Sequence, residues 1–389
     1  MKTPKQITTI VVMVVLALLV MPLSAAENDA KAFGQFQEIL SDINGRSFEA
    51  MQKAIDKTDL SSRIYKSRAV EDEVKQVFSF NFWQFIESGF MQKLPAEGSK
   101  AEATLVEFVF ENGDGHAAIR YNLPKYEYEF QVFDLRHDSR GRLKVIDWFD
   151  TRTGQMFSAE IGEGLTILTP TKDATRKLIS LKDPSDLQLF QVTEIFKASR
   201  DVQPPRFFEI YDEFNDELKH EPFIAKYAAF MAFLIKDMDR FVKALEIFVD
   251  VFSNDPNFAL VMSDYYAAID DYDKSYAMLS RFQGNFSIEE GALPAKLSAL
   301  ALALGKLEEA EKYAVEATVD EPSLELGWWS LLRARSRSQY YSGAIQALTY
   351  LEDHFGHRLD EAKLRRDKFQ GFIQLVESQE FKDWRAERK

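Results

Sequence analysis

The chain has 389 residues, 46% of them hydrophobic and 28% charged, enough for two domains that each bury a core. It contains no cysteine, which removes disulfides, thiol catalysis and cysteine-held metals together. A net charge of −14 repels nucleic-acid phosphates and favours a basic peptide or cationic protein as partner.

The first element is a targeting signal. Lys2 and Lys5 precede an apolar run, Ile7 to Met21, broken only by Thr8 and Thr9. Pro22-Leu23-Ser24-Ala25-Ala26 then supplies a breaker and small residues, and Glu27, Asn28 and Asp29 are polar. This is the layout of a secretory signal peptide over 1–26, cut after Ala26 or Ala25. The alternative is an uncleaved membrane anchor, although the run is short of the ~20 residues a spanning helix needs. The expectation is an exported protein of the bacterial envelope, periplasmic or secreted.

Residues 31–165 predict an α+β domain. Phe33, Phe36, Ile39, Leu40 and Ile43 recur at helical spacing up to Gly45. Phe48, Met51, Ala54 and Ile55 resume it, and Val74, Val77, Phe78, Phe82, Phe85, Ile86 and Phe90 form a stronger stripe that Pro95 ends. The period then falls to two. Val106, Phe108 and Phe110 alternate; Asn112-Gly113-Asp114-Gly115 predicts a turn into a strand over His116–Leu123. Tyr126, Tyr128, Phe130 and Val132 alternate with Glu127, Glu129 and Gln131. Leu143–Asp150 predicts a further strand with Val145, Asp147 and Phe149 on one face, and Gln155–Ile161 a last one. Helices followed by a strand meander predict helices packed on an antiparallel sheet.

That order of elements over 47–165 resembles the cystatin-like and nuclear-transport-factor-like cone folds. The resemblance implies helices in the hollow of a curved sheet, and with them two further readings: a small apolar ligand such as a lipid, or an enzyme whose hollow holds an Asp or His base. His116, Asp134, His137 and Asp147 are the titratable candidates. A buried Asp147 would have a raised pKa; the plainer reading is an Asp bonding to a turn.

Residues 166–204 read as a linker with a connecting helix, carrying Thr169-Pro170-Thr171-Lys172-Asp173 and Asp183-Pro184. From 205 to 356 the pattern is helical and periodic. Phe241–Phe248, Tyr272–Leu279, Leu307–Ala314 and Tyr341–Leu348 share a small residue followed four places on by an apolar one. The small residues Ala244, Ser275, Ala310 and Ala344 lie 31, 35 and 34 apart, and Pro222 and Pro256 are 34 apart. These segments resemble the tetratricopeptide repeat. Leu297, Gly305, Ala310, Ala314, Ala317 and Pro322 fill one repeat, and Trp328 and Leu331 open the next. The first-helix small position is Ala232, Ser263 and Ser298 but Leu332 in the last, and the tyrosine position is kept only at Tyr266. Paired antiparallel helices cannot bury their apolar faces alone, so each pair stacks on the next. Residues 357–389 predict one amphipathic capping helix with Leu364, Phe372, Ile373, Val376 and Trp384 on its apolar side.

The resemblance implies an all-α array that binds protein partners, a scaffold rather than an enzyme, with a surface formed by the first helix of each pair. Families that bind chaperone tails carry a Lys/Asn carboxylate clamp there; the matching positions include Lys226 and Phe233, Asp264, Ala295 and Ala299, and Trp329 and Arg333, so the clamp is missing. Trp329, Arg333 and Arg337 recur every four residues on one helix face, suited to an aromatic or acidic segment. The candidate partner-binding residues are therefore Trp329, Arg333, Arg337, Phe233, Lys226 and Asp264. No cofactor is expected, and the phosphate-loop, nucleophile-elbow and His-Glu-x-x-His motifs are missing. His354 and His357 sit at a helix end near Asp353 and Asp360, a weak metal pair at most.

Overall fold

The computed structural model describes residues 29–67, 70–92, 94, 102–123, 127–168, 172–235, 237–286, 290–367 and 369–388. The predicted signal segment lies outside them. The chain divides into two compact units, Met1–Val251 and Phe252–Lys389. An antiparallel five-stranded sheet with helices comes first, and an all-helical array fills the C-terminal half.

In the first unit, helix α1 (29–44) is followed by α2 (Glu49–Ala54), α3 (Lys57–Ser67), α4 (Asp72–Phe80) and α5 (Phe82–Met91). Strands β1 (Glu102–Glu111), β2 (Asp114–Leu123), β3 (Glu127–His137), β4 (Leu143–Asp150) and β5 (Gln155–Met156) lie in the sheet in chain order. The β1–β2 turn places Asn112 at φ 55° and Gly113 at φ 91°, with Glu111 opposite Asp114. That is the left-handed pair a two-residue hairpin needs, and it explains why Asn-Gly sits there. Most of the helical stripe enters the core, although Val77 and Phe33 stay exposed. Phe36 packs 5.6 Å from Phe133, Phe90 lies 5.8 Å from Trp148, and Phe78, Phe82 and Ile86 are buried with them.

The sheet departs from the expected alternation in three places. β3 is covered on both faces, because Gln131 and Phe133 are as buried as Tyr128 and Phe130. A bulge in β4 pairs Asp134 with Asp147 but Leu135 with Val145, leaving Ile146 extra. Val145 and Trp148 therefore share the core face while Asp147 turns away from them, so the shared face expected for Val145 and Asp147 is lost. The last strand stops after two residues, and helix α6 (Phe157–Leu168) replaces the rest of the expected strand. Phe157 stacks on Trp148 at 3.8 Å, and Asp147 Oδ1 accepts from the Ser158 N–H at 3.0 Å, capping the helix from across the chain.

β1 is a sheet edge. The Asn44 carboxamide meets it like a strand: its Oδ1 accepts from Ala103 N at 2.8 Å and its Nδ2 donates to Ala103 O at 2.9 Å.

The stretch expected as linker and connecting helix is itself largely helical: α7 (Lys172–Leu178), then α8 (Asp186–Arg200), whose Ser185 and Gln188 form a capping box. Then come α9 (Pro204–Tyr211), α10 (Asp216–Lys219), α11 (Pro222–Leu234) and α12 (Met238–Phe252). Ala232 of α11 and Ala244 of α12 are both buried, the first example of a pattern repeated in the second unit.

The second unit holds three helix pairs: α13 (Ala259–Ala268) with α14 (Tyr272–Phe286), α15 (Ala292–Ala303) with α16 (Leu307–Asp320), and α17 (Glu325–Arg337) with α18 (Tyr341–Phe355). The single capping helix expected after them is instead three short ones, α19 (Glu361–Arg366), α20 (Gln370–Glu377) and α21 (Gln379–Glu387). Ser378 breaks the run by capping α21, accepting from Phe381 N at 3.2 Å. Phe372, Leu375 and Val376 of α20 and Phe381 and Trp384 of α21 still bury in one core with Leu332 of α17 and Leu348 and Leu351 of α18, which is what a terminal cap must do. Among the described residues no helix is long and apolar enough to cross a membrane.

Candidate functional site

Two of the second unit's helix pairs, α13 with α14 and α15 with α16, are stitched at their small positions. Ser263 Oγ donates to the carbonyl of Ser275 at 2.9 Å, and Ser298 Oγ donates to that of Ala310 at 2.7 Å. Donor and acceptor are 12 residues apart in both pairs, and the equivalent Leu332 and Ala344 are both buried. Small side chains on both helices let the backbones approach closely enough for a hydroxyl to reach across. This fixes which face of each first helix turns outward: Asp264 and Ala268 on α13, Ala299 and Ala303 on α15, and Arg333 and Arg337 on α17 occupy matching positions, all exposed except Arg333, which is half-buried.

Between α15 and α17 this face sinks into a cleft of about 290 Å³, lined by Ala299, Leu302 and Ala303, by Ser330 and Arg333, and by Phe369. At one side Lys296 Nζ reaches Asp264 Oδ1 at 3.0 Å, bridging α13 to α15. At the other, Arg333 Nη2 donates to Asp367 Oδ2 at 3.3 Å, and Arg337 Nη1 donates to Gln370 Oε1 at 3.2 Å. Trp329 donates its Nε1–H to Glu325 Oε1 at 2.9 Å and packs edge-on to His357, which bonds the same carboxylate oxygen at 2.8 Å.

Of the six predicted partner-binding residues, Trp329, Arg333 and Arg337 share one face of α17, and Asp264 sits on the matching face of α13. The α17 ridge is not bare: residues after α19 lie against its two arginines. The side chain of Phe233 falls outside the described residues. Lys226 is a correction. Its ammonium pairs with the buried Glu163 carboxylate of α6 and donates to Gln155 Oε1 at 3.0 Å, all inside the first unit. Sequence spacing placed Lys226 on an outward face; a partner 63 residues away turned it inward. The sequence reading also missed Lys296, Asp367, Phe369 and Gln370. An Asp-x-Phe-Gln run directly after a helix rich in basic residues is the signal it passed over.

In the first unit the interior of the helix-and-sheet layer is filled by rings, with Trp148 stacked on Phe157 and Phe133 stacked 5.9 Å from Trp148. Asp147 is engaged by backbone donors, Ser158 N and Trp148 N. Burial raises its pKa and those donors oppose the rise. Its Oδ1 thus ties the end of β4 to the start of α6. Asp134 is raised by burial against the pull of Arg63, 3.7 Å away. A second cleft, about 410 Å³, opens beside Phe208, Tyr211, Lys219 and Arg240, where Arg240 is held by Asp212 at 2.8 Å. Burial pushes the Tyr211 hydroxyl up to about 12. Among the described residues no three His, Asp or Glu side chains converge as a metal-binding group. His354 instead packs on Tyr350 at 4.0 Å.

No known sequence family matches the chain. No curated protein matches it either. A solved structure of MamA from AMB-1, in crystal form P212121, is 13% identical, covers 46% of this chain and 98% of its own, and has a TM-score of 0.33.

Proposed function

We propose that the C-terminal unit is a tetratricopeptide-type array that holds a polypeptide partner across the outward faces of its first helices, and that the protein is a binding scaffold of the envelope rather than an enzyme. The observation that carries this is the cleft between α15 and α17, floored by Ala299 and Ala303 and walled by Arg333. Small floor residues admit a backbone closely, and a half-buried guanidinium on the wall gives a bidentate donor for specificity. The stitched pairs at Ser263 and Ser298 support the repeat assignment. Where the apolar-ligand reading would need a hollow, between the sheet and its helices, Trp148 stacks on Phe157 and Phe133 and fills the space with rings.

The test is capture from envelope extract by the wild type and by Ala299→Trp. Ala299 is exposed, so the indole fills the cleft without entering the core. The partner should be lost with the fold intact by circular dichroism. Equal capture by both proteins would refute the cleft as the binding surface. Export is tested separately: the mature protein should begin at Ala26 or Glu27, and a cytosolic form that keeps Met1 would overturn it.

A further inference from the structure

The cleft already has an occupant at one end. The turn between α19 and α20 brings Asp367 onto Arg333 at 3.3 Å, Phe369 into the cleft wall and Gln370 onto Arg337 at 3.2 Å. The approach is close: a Cβ on Gly371 would lie 2.6 Å from the Phe369 ring and 3.0 Å from Arg337 N, so glycine is required for the segment to sit down on the last turn of α17. Phe369 also packs edge-on to Phe372 at 5.0 Å, while the rest of the cap is held by its own buried side chains. Phe372, Leu375 and Val376 anchor α20, and Phe381 and Trp384 anchor α21, all by burial. By contrast Arg333 and Asp367 are 40% and 34% exposed, a pair that water and other carboxylates can replace.

We infer that this turn is a built-in stand-in for the partner. The partner of the cleft is then an extended segment carrying a carboxylate and an aromatic ring two residues apart, and it competes with the chain's own Asp367 and Phe369. The stand-in rests on the cleft being a partner-binding surface, and it adds the chemistry of the ligand and a latch. The charge complementarity is local: the chain is acidic as a whole, yet the ridge it presents here is Arg333 and Arg337. A tethered segment competes at a high effective concentration, so the latch raises the threshold for any free ligand and rejects those lacking either group.

The probe is a fluorescently labelled peptide with the chain's own sequence over 364–373, titrated into the full-length protein and followed by anisotropy. The double variant Asp367→Ala, Phe369→Ala should bind it at least about tenfold more tightly than the wild type, because the tethered competitor is gone. Adding Arg333→Ala should return binding to the wild-type level, and a peptide with Lys in place of its Asp should bind neither protein. Equal affinity for wild type and double variant, or binding that survives Arg333→Ala, overturns the inference. Should the double variant unfold, Asp367→Ala alone must give the same ordering, since its side chain is exposed. If partner capture depends on Ala299 while the peptide shows no preference, the stand-in fails and the binding reading stands. If the peptide behaves as expected while capture ignores Ala299→Trp, the stand-in stands and the proposed partner surface fails.

Discussion

Replacing Lys226 separates a structural role from a partner-binding one. The ammonium is paired with Glu163, whose side chain is only 4% exposed, and Gln155 joins both, donating to Glu163 Oε1 at 3.0 Å. The ammonium also lies 5.8 Å and 5.6 Å from the ring centroids of Phe223 and Tyr227. Lys226→Met keeps the stem and deletes the charge, leaving a buried carboxylate facing a methyl group. Breaking a buried pair from one side costs about 3–5 kcal/mol, whereas removing both charges together is often close to neutral. Lys226→Met should therefore destabilise the first unit by about 3 kcal/mol or more. The double change Lys226→Met, Glu163→Leu should be the milder of the two, despite removing more atoms. Hydrogen exchange of peptides from α6 and α11, measured across a urea series, reports this unit without interference from the array. If the single change costs less than about 1 kcal/mol, or if the double change is worse than the single one, the pair does not hold α6 to α11. The outward-facing reading of Lys226 would then return.

Three further outcomes test the rest of the architecture. Ala310→Leu adds bulk at a fully buried helix crossing where Ser298 reaches the backbone, and should cost about 1–3 kcal/mol by thermal melt. Exposed Glu308→Leu, two residues away, should stay within about 0.5 kcal/mol; equal effects would show that the repeat phase is wrong. Burial raises the Asp147 pKa in the folded state, so its contribution to stability is complete below the ordinary carboxylate range and is lost as pH rises through the raised value. Asp147→Asn removes that dependence, so the variant should gain on the wild type between pH about 4 and 7 in denaturant melts. A difference that is flat with pH would refute the assignment.

What was legible in the sequence followed from short-range chemistry. Asn112-Gly113 marked its hairpin, and Ala310 and Ala344 marked their helix crossings, because the residue type alone carries the constraint. The illegible parts all depend on contacts between distant positions. Gln155–Ile161 has the composition of a strand, yet it turns helical after Met156 because Trp148 and Asp147 receive Phe157 and Ser158. The β4 bulge at Ile146 reverses the facing of Asp147 and leaves no local mark. The α17 ridge was visible by its spacing of four, but its cover was not. Asp367 and Gln370 are 34 and 33 residues from the arginines they meet.

The edge of the sheet bears on how this protein meets its own kind. A bare outer strand would invite a second chain to add alongside and extend the sheet from molecule to molecule. Here Asn44 consumes both outward groups of Ala103, the register slips between Leu105 and Glu107, and Glu102 and Glu111 stand exposed at the two ends. An incoming strand would find the groups of Ala103 taken, its pairing out of step after Leu105 and carboxylates at either end. The β1 edge therefore resists growth by strand addition.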